Sequence, residues 1–216
     1  MKLPAETIVS ILGASYFQPI ADLVDRSLKW PATKRNAVKA LHYDNSYSVS
    51  IILLLVAALE SYATRLRYFH GAPPKGKGGT VAKYIKHVLP GFRMVKALTE
   101  VFVLRDAIFH NHLWEVDFTW RSMTLKSATL VPYKEDAKFS AVVNSATRRT
   151  KNLRLHVVPT RVDRRDALKV FDVIWKTLLF LERKNRNYCY VSDQNVAFRG
   201  RMQSFVGLRE VLANAL

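Results

Sequence analysis

One cysteine, Cys189, stands in 216 residues, so the chain has no second thiol for an internal disulfide and no thiolate cluster for a structural zinc site. That excludes the disulfide-framed secreted class and removes the commonest metal ligand set; no metal and no cofactor is expected. Acidic residues are scarce too, 17 Asp plus Glu against 34 Lys plus Arg, a formal net charge of +17. A field of that sign attracts polyanions, nucleic acid first among them. Long hydrophobic runs are also missing. The longest, Val49 to Leu59, contains Ser50 and is followed by Glu60, short of the roughly 20 apolar residues of a membrane span. The first residues, Met1-Lys2-Leu3-Pro4-Ala5-Glu6, have neither the basic flank nor the apolar stretch of a signal peptide. The expectation is a soluble, cytoplasmic chain with no membrane contact.

What is present is helical period. Ile8, Ile11, Leu12, Ile20, Leu23, Val24 and Leu28 recur at three- and four-residue steps, which predicts helix from Ala5 to about Lys29 with a break at Pro19 and an end before Pro31. Ser46 to Phe69 is apolar nearly all round in its first half, as the central helix of a bundle must be. A loop at Gly71 to Gly79 leads to helices over Val81–Leu89 and Phe92–Leu113, separated by Pro90-Gly91. Asp163 is an N-cap candidate for a helix to about Arg186, and Ser204–Ala213 is a last short helix. Between these, Val116, Phe118 and Trp120 alternate with polar residues, as do Leu153, Leu155 and Val157, which predicts a small β ribbon or sheet. The fold class expected is mainly α: a single domain over 1–216 with an inserted β element at approximately 115–160.

The informative stretch is Val103-Leu104-Arg105-Asp106-Ala107-Ile108-Phe109-His110-Asn111-His112, late in a helix that follows the central one. At about 100° per residue, Asp106 and His110 lie about 40° apart on one helix face, so the carboxylate can orient the imidazole as a general base. Arg105 and His112 are about 20° apart, Arg105 and His110 about 140°. Other Arg and His pairs have similar spacing, Arg65 with His70, Arg149 with His156, and Arg35 with His42; only Arg105 follows the central helix inside an apolar-patterned one.

An arginine, a polar follower and a histidine after four to six residues, late in a helical bundle, resemble the motif of the HEPN ribonucleases. The resemblance covers Ser46 to Trp114, with Asp163 to Arg186 as a later helix; Glu115 to Thr160 has no counterpart in it. It implies an HEPN-like helical bundle acting as a homodimer, with two motif helices forming one cleft, and a metal-independent endoribonuclease of the toxin or anti-phage type, restrained by an antitoxin or regulatory partner. In that cleft His110 takes the 2′-hydroxyl proton and Arg105 stabilises the charged phosphorane, leaving 2′,3′-cyclic phosphate and 5′-hydroxyl ends. Asp106 and His112 complete the catalytic candidates, and Glu60 and Asn111 are candidate cleft residues. On the residues alone, Arg105 pairing with Glu100 or Asp106 on a solvated face, and Glu60 pairing on the surface near Arg67 and Thr64, stay open.

A basic run, Arg148, Arg149, Lys151, Arg154, Arg161, Arg164 and Arg165, is the expected phosphate-tracking surface for RNA. Trp114, Trp120 and Tyr133 are stacking candidates. The Gly71–Gly78 stretch imitates a phosphate loop but has Gly78 where a Ser or Thr is required. Two other functions remain: a non-catalytic RNA- or partner-binding module of the same fold, and a basic scaffold for assembly.

Overall fold

A computed structural model describes residues 12–35, 37–71, 80–109, 114–119, 124–130 and 137–216. The protein is mainly α-helical, with short antiparallel strand pairs between and after the helices.

After a 3₁₀ turn at Gly13–Tyr16, α1 spans Phe17–Ser27. Pro19 does not break it, because a proline in the first turn removes an N–H that has no intrahelical partner anyway. The central helix α2, His42–His70, starts four residues earlier than its apolar pattern. It is buried on several sides at once, through Ile51, Ile52, Leu55, Leu59, Tyr62 and Leu66, which is why its sequence is apolar nearly all round. Among the described residues α2 alone is long and apolar enough to cross a bilayer, and half of its most apolar window is covered by the rest of the protein.

Next come α3, Val81–Val88, capped by the Thr80 hydroxyl, and α4, Val95–Phe109. The inserted region begins with a ribbon, β1 Trp114–Thr119 against β2 Thr124–Leu130, with a register shift between Asp117 and Phe118. A short helix α5, Ala137–Val142, and a two-residue pairing of β3, Val143–Asn144, with β4, Arg149–Thr150, follow. The ribbon expected at Leu153–Val157 is corrected: these residues form only an isolated bridge, Arg149 to His156. Leu155, His156, Val157 and Val158 are all buried, and the buried Glu100 carboxylate fixes the loop before them. That carboxylate accepts from Asn152 N and Nδ2 and from Leu153 N, at 2.7 to 2.8 Å. Glu100 is therefore not a partner of Arg105.

Helix α6, Arg164–Lys184, begins with the expected cap: the Asp163 carboxylate accepts from the N–H groups of Arg165 and Asp166, and the Asp163 N–H donates to Asp166 Oδ2. Reciprocal caps of this kind contribute about 1 kcal/mol. Helices α2 and α6 lie side by side with like ends together, since Asn45 Nδ2 donates to Pro159 and Val162 carbonyls while His70 meets Tyr188 at the far end. A hairpin not foreseen from sequence, β5 Asn195–Phe198 with β6 Arg201–Ser204, turns on two positive-φ residues, Arg199 and Gly200. Its edge is capped by Gln18, whose side-chain amide both donates to and accepts from Ala197. Finally α7, Gly207–Ala213, closes the bundle near Phe17, Phe171, Trp175 and Phe205, whose rings pack together. One continuous core joins residues from α1, α2, α3, α4, α6 and α7; a smaller cluster, Val103, Phe139, Val143 and Val157, seats the inserted hairpin on α4.

Candidate functional site

Arg105 sits one turn before the end of α4 and reaches across to the central helix. Its Nη2 donates to Glu60 Oε1 at 2.7 Å, and Nη1 lies 3.1 Å from Asp106 Oδ1. The guanidinium carbon is 5.4 Å from the centre of the Phe102 ring, a cation–π contact. Glu60 thus pairs with α4 and not with Arg67, which lies over the Tyr84 ring; the Thr64 hydroxyl bonds only the Glu60 main-chain carbonyl. An arginine presents five N–H donors. Both of its terminal nitrogens are engaged by these carboxylates, one N–H each, and the buried Nε has no hydrogen-bond partner among the described residues. The side chains of Arg105 and Glu60 are 25% and 42% exposed, so a phosphate can approach the pair from solvent. The expected partners His110, Asn111 and His112 lie outside the described residues, as do Trp120, Tyr133 and the side chain of Trp114.

The basic run divides into different roles. Arg164 is corrected: it is 3% exposed, and its guanidinium donates to the carbonyls of Ser27, Trp30 and Ala215 and faces Asp44. Asp44 in turn accepts from Thr33 N at 2.8 Å. Arg164 therefore ties α1, α2, α6 and the C-terminal residues together and is not part of a phosphate surface. An arginine at the first position of a helix could point either way, and its neighbours in sequence gave no sign of which.

Arg149, Arg161 and Arg165 are instead brought together around the α6 cap, with Lys169, one turn further on, joining them. Burial lowers the pKa of Arg161 and of Lys169, and the positive charge of Arg149 lowers both further. Repulsion of that kind marks a spot where cations outnumber anions. Asp163 and Asp166 offset part of the charge, but their oxygens are occupied by the cap, by Arg165 Nε and Nη2, and by His156 Nδ1 at 2.8 Å. His156, Asp163 and Asp166 are also the one group of three candidate metal ligands among the described residues; with every carboxylate already capping a helix or holding a side chain, the geometry is that of a cap.

Lys151 donates to the Ala141 carbonyl at 2.6 Å, Arg149 Nη1 to that of Arg154, and Arg148 and Arg154 both adopt positive φ. These residues line the inserted hairpin, with Lys151 also bordering a cavity of about 340 Å³ beside Lys96 and Thr99. No protein-family model, no curated protein and no solved structure matches this chain.

Proposed function

We propose that this chain is a metal-independent endoribonuclease of the HEPN type, with Arg105 and His110 as its catalytic pair. The observation that carries the proposal is the seating of Arg105: a guanidinium one-quarter exposed near the end of α4, aligned by Glu60 from the central helix and by Asp106 from its own. A permanently charged planar fork held this way supports two oxygens of a phosphorane without moving far. His110, five residues after Arg105 in the sequence, takes the proton of the 2′-hydroxyl. The 2′-oxygen then bonds to phosphorus and the bond from phosphorus to the 5′-oxygen breaks. The leaving oxygen takes a proton from the protonated imidazole of a second histidine, His112 or a partner subunit's copy of the motif. The products are a 2′,3′-cyclic phosphate and a 5′-hydroxyl.

A homodimer that joins two motif helices, a cytoplasmic setting free of membranes, and a role as a toxin or anti-phage effector restrained by a partner protein complete the proposal. Substrate RNA is drawn by the +17 charge and by the Arg149, Arg161, Arg165 and Lys169 cluster.

One observation favours a second function, an RNA-binding module without chemistry. Both terminal nitrogens of Arg105 are already engaged by Glu60 and Asp106, so a phosphate reaches the guanidinium only where one of these carboxylates gives way. The two functions separate on substrate chemistry. The enzyme cuts an all-RNA strand and leaves the all-DNA strand of the same sequence whole, since the mechanism needs the 2′-hydroxyl. Equal cutting of both overturns the proposal, and binding without cutting of either supports the module.

A further inference from the structure

The turn between α1 and α2 exposes an aromatic stack that the site above does not use. Trp30 and Tyr43 lie face to face, centroids 3.8 Å apart and planes 18° from parallel, and Tyr47 continues the series one helical turn along α2 at 6.5 Å. His42 abuts Tyr43 edge-on. Trp30 is 40% and Tyr43 44% exposed, and Tyr47 is half-buried. The inner faces of Trp30 and Tyr43 cover each other, and the aromatic surface that stays in water suits a ligand with flat apolar faces.

Charge narrows the ligand. Residues 28–43 hold four basic side chains, Lys29, Lys34, Arg35 and Lys39, all exposed, and no Asp or Glu. The carboxylate that follows, Asp44, is buried and committed to Thr33 and Arg164. The platform is also built from inside. Arg164 holds the Trp30 carbonyl at 3.2 Å and Arg165 holds that of Thr33 at 2.7 Å. The second of these bonds runs directly from the basic cluster at the start of α6 to the aromatic turn, so the two surfaces adjoin.

We propose that Trp30, Tyr43 and Tyr47 form a stacking platform for unpaired bases of single-stranded nucleic acid, whose phosphates are held by the adjoining Lys34, Arg35, Arg161 and Arg165. Rings stack on any base, and the cations track the backbone, so the platform selects strandedness over sequence. It stands about 25 Å along α2 from Glu60, at 1.5 Å per residue, and holds a strand at a distance from the Arg105 site. The assignment rests on the nucleic-acid reading only for the class of partner and not on cleavage at Arg105.

The test is the affinity of the full chain for a short, fluorescein-labelled 2′-O-methyl oligouridine, which cannot be cut because its 2′-oxygen is capped. Trp30→Ala and Tyr43→Ala each weaken binding at least about fivefold, and Trp30→Phe restores most of it. The double change Lys34→Ala, Arg35→Ala, which removes no packed side chain, lowers the slope of affinity against salt. Duplex RNA, with its bases covered, binds with an affinity that the aromatic variants leave unchanged. Unaltered oligouridine binding in both alanine variants overturns the proposal, as does a loss shared equally by duplex and single strand. Loss of binding to anionic vesicles with oligouridine binding intact overturns it in favour of a membrane surface. Because no cleavage is read, a failure here is distinct from a failure of the ribonuclease proposal.

Discussion

Arg105 Nη2 and Glu60 Oε1 meet at 2.7 Å across two helices, 45 residues apart in sequence. Both side chains are partly exposed, so water screens the pair and its contribution to stability is small, about 0.2 to 1 kcal/mol. A double-mutant cycle with Glu60→Gln and Arg105→Gln, read by urea unfolding, is expected to give a coupling in that range. A coupling above about 2 kcal/mol would mark the pair as a structural clamp, which is the arrangement the binding-module function requires.

Arg164 is expected to matter far more for folding than its neighbour. Arg164→Ala leaves Asp44 as an unpaired charge in the interior and strips three carbonyls of their donor, a loss of about 3–5 kcal/mol. Arg165→Ala removes a partly exposed side chain and costs about 1 kcal/mol. Urea midpoints for the two variants check the contrast. Equal midpoints would mean that Arg164 does not hold the three segments together.

These two arginines show where the sequence was legible and where it was not. Helices α2 and α6 could be read because burial imposes a period on the apolar residues themselves, and Asp163 because a cap is a local event spanning three residues. Arg164 sits in the same basic run as Arg161 and Arg165, yet its partners come from Ser27, Trp30, Asp44 and Ala215, which no local pattern connects to it. The Glu60–Arg105 pair is hidden for the same reason: spacing along one helix gives angles around its axis and says nothing of what a second helix brings. Alternation at Leu153–Val157 looked like a strand, but Leu155, His156, Val157 and Val158 are buried in succession, His156 by its bond to Asp166, which a pattern of apolar and polar residues does not reveal. The β5–β6 hairpin left one sign, Gly200, since its other turn residue is an arginine in a left-handed conformation.

Gly13 is expected to tolerate no side chain. A Cβ there would lie 2.5 Å from Tyr62 Cε2 and 2.8 Å from two further ring carbons, and the buried ring has no room to retreat. Gly13→Ala should destabilise by about 1–3 kcal/mol through overpacking. Gly91→Ala, whose nearest neighbour is the flexible end of Lys184 at 3.9 Å, serves as the control and should change stability little. Thermal melting of both variants decides it, and equal melting temperatures would contradict the packing described.

Cys189 should make stability fall at alkaline pH. Burial, and then the nearby Glu182 carboxylate, push its thiol far above the ordinary range. In the unfolded chain the thiol ionises near 8.5, while in the folded protein it stays protonated. Below that pH both states carry the proton and the group favours neither. Above it the unfolded state alone gains by releasing one, so stability drops by up to about 1.4 kcal/mol per pH unit. Between pH 7 and 10, Cys189→Ala is expected to show a flatter profile, and the native thiol should resist a disulfide reagent until denaturant is added. Rapid labelling of the native protein would refute the buried placement.

Arg105 and His110 are proposed to cut RNA. The most direct measurement incubates the purified protein, Arg105→Ala and His110→Ala with end-labelled RNA in EDTA and determines the chemistry of the new ends. The expected result is that the unaltered protein leaves 2′,3′-cyclic phosphates and 5′-hydroxyls and that neither variant cuts, while all three remain folded and bind RNA. Cutting by either variant at the unaltered rate, or RNA bound and left whole by the unaltered protein, would contradict it.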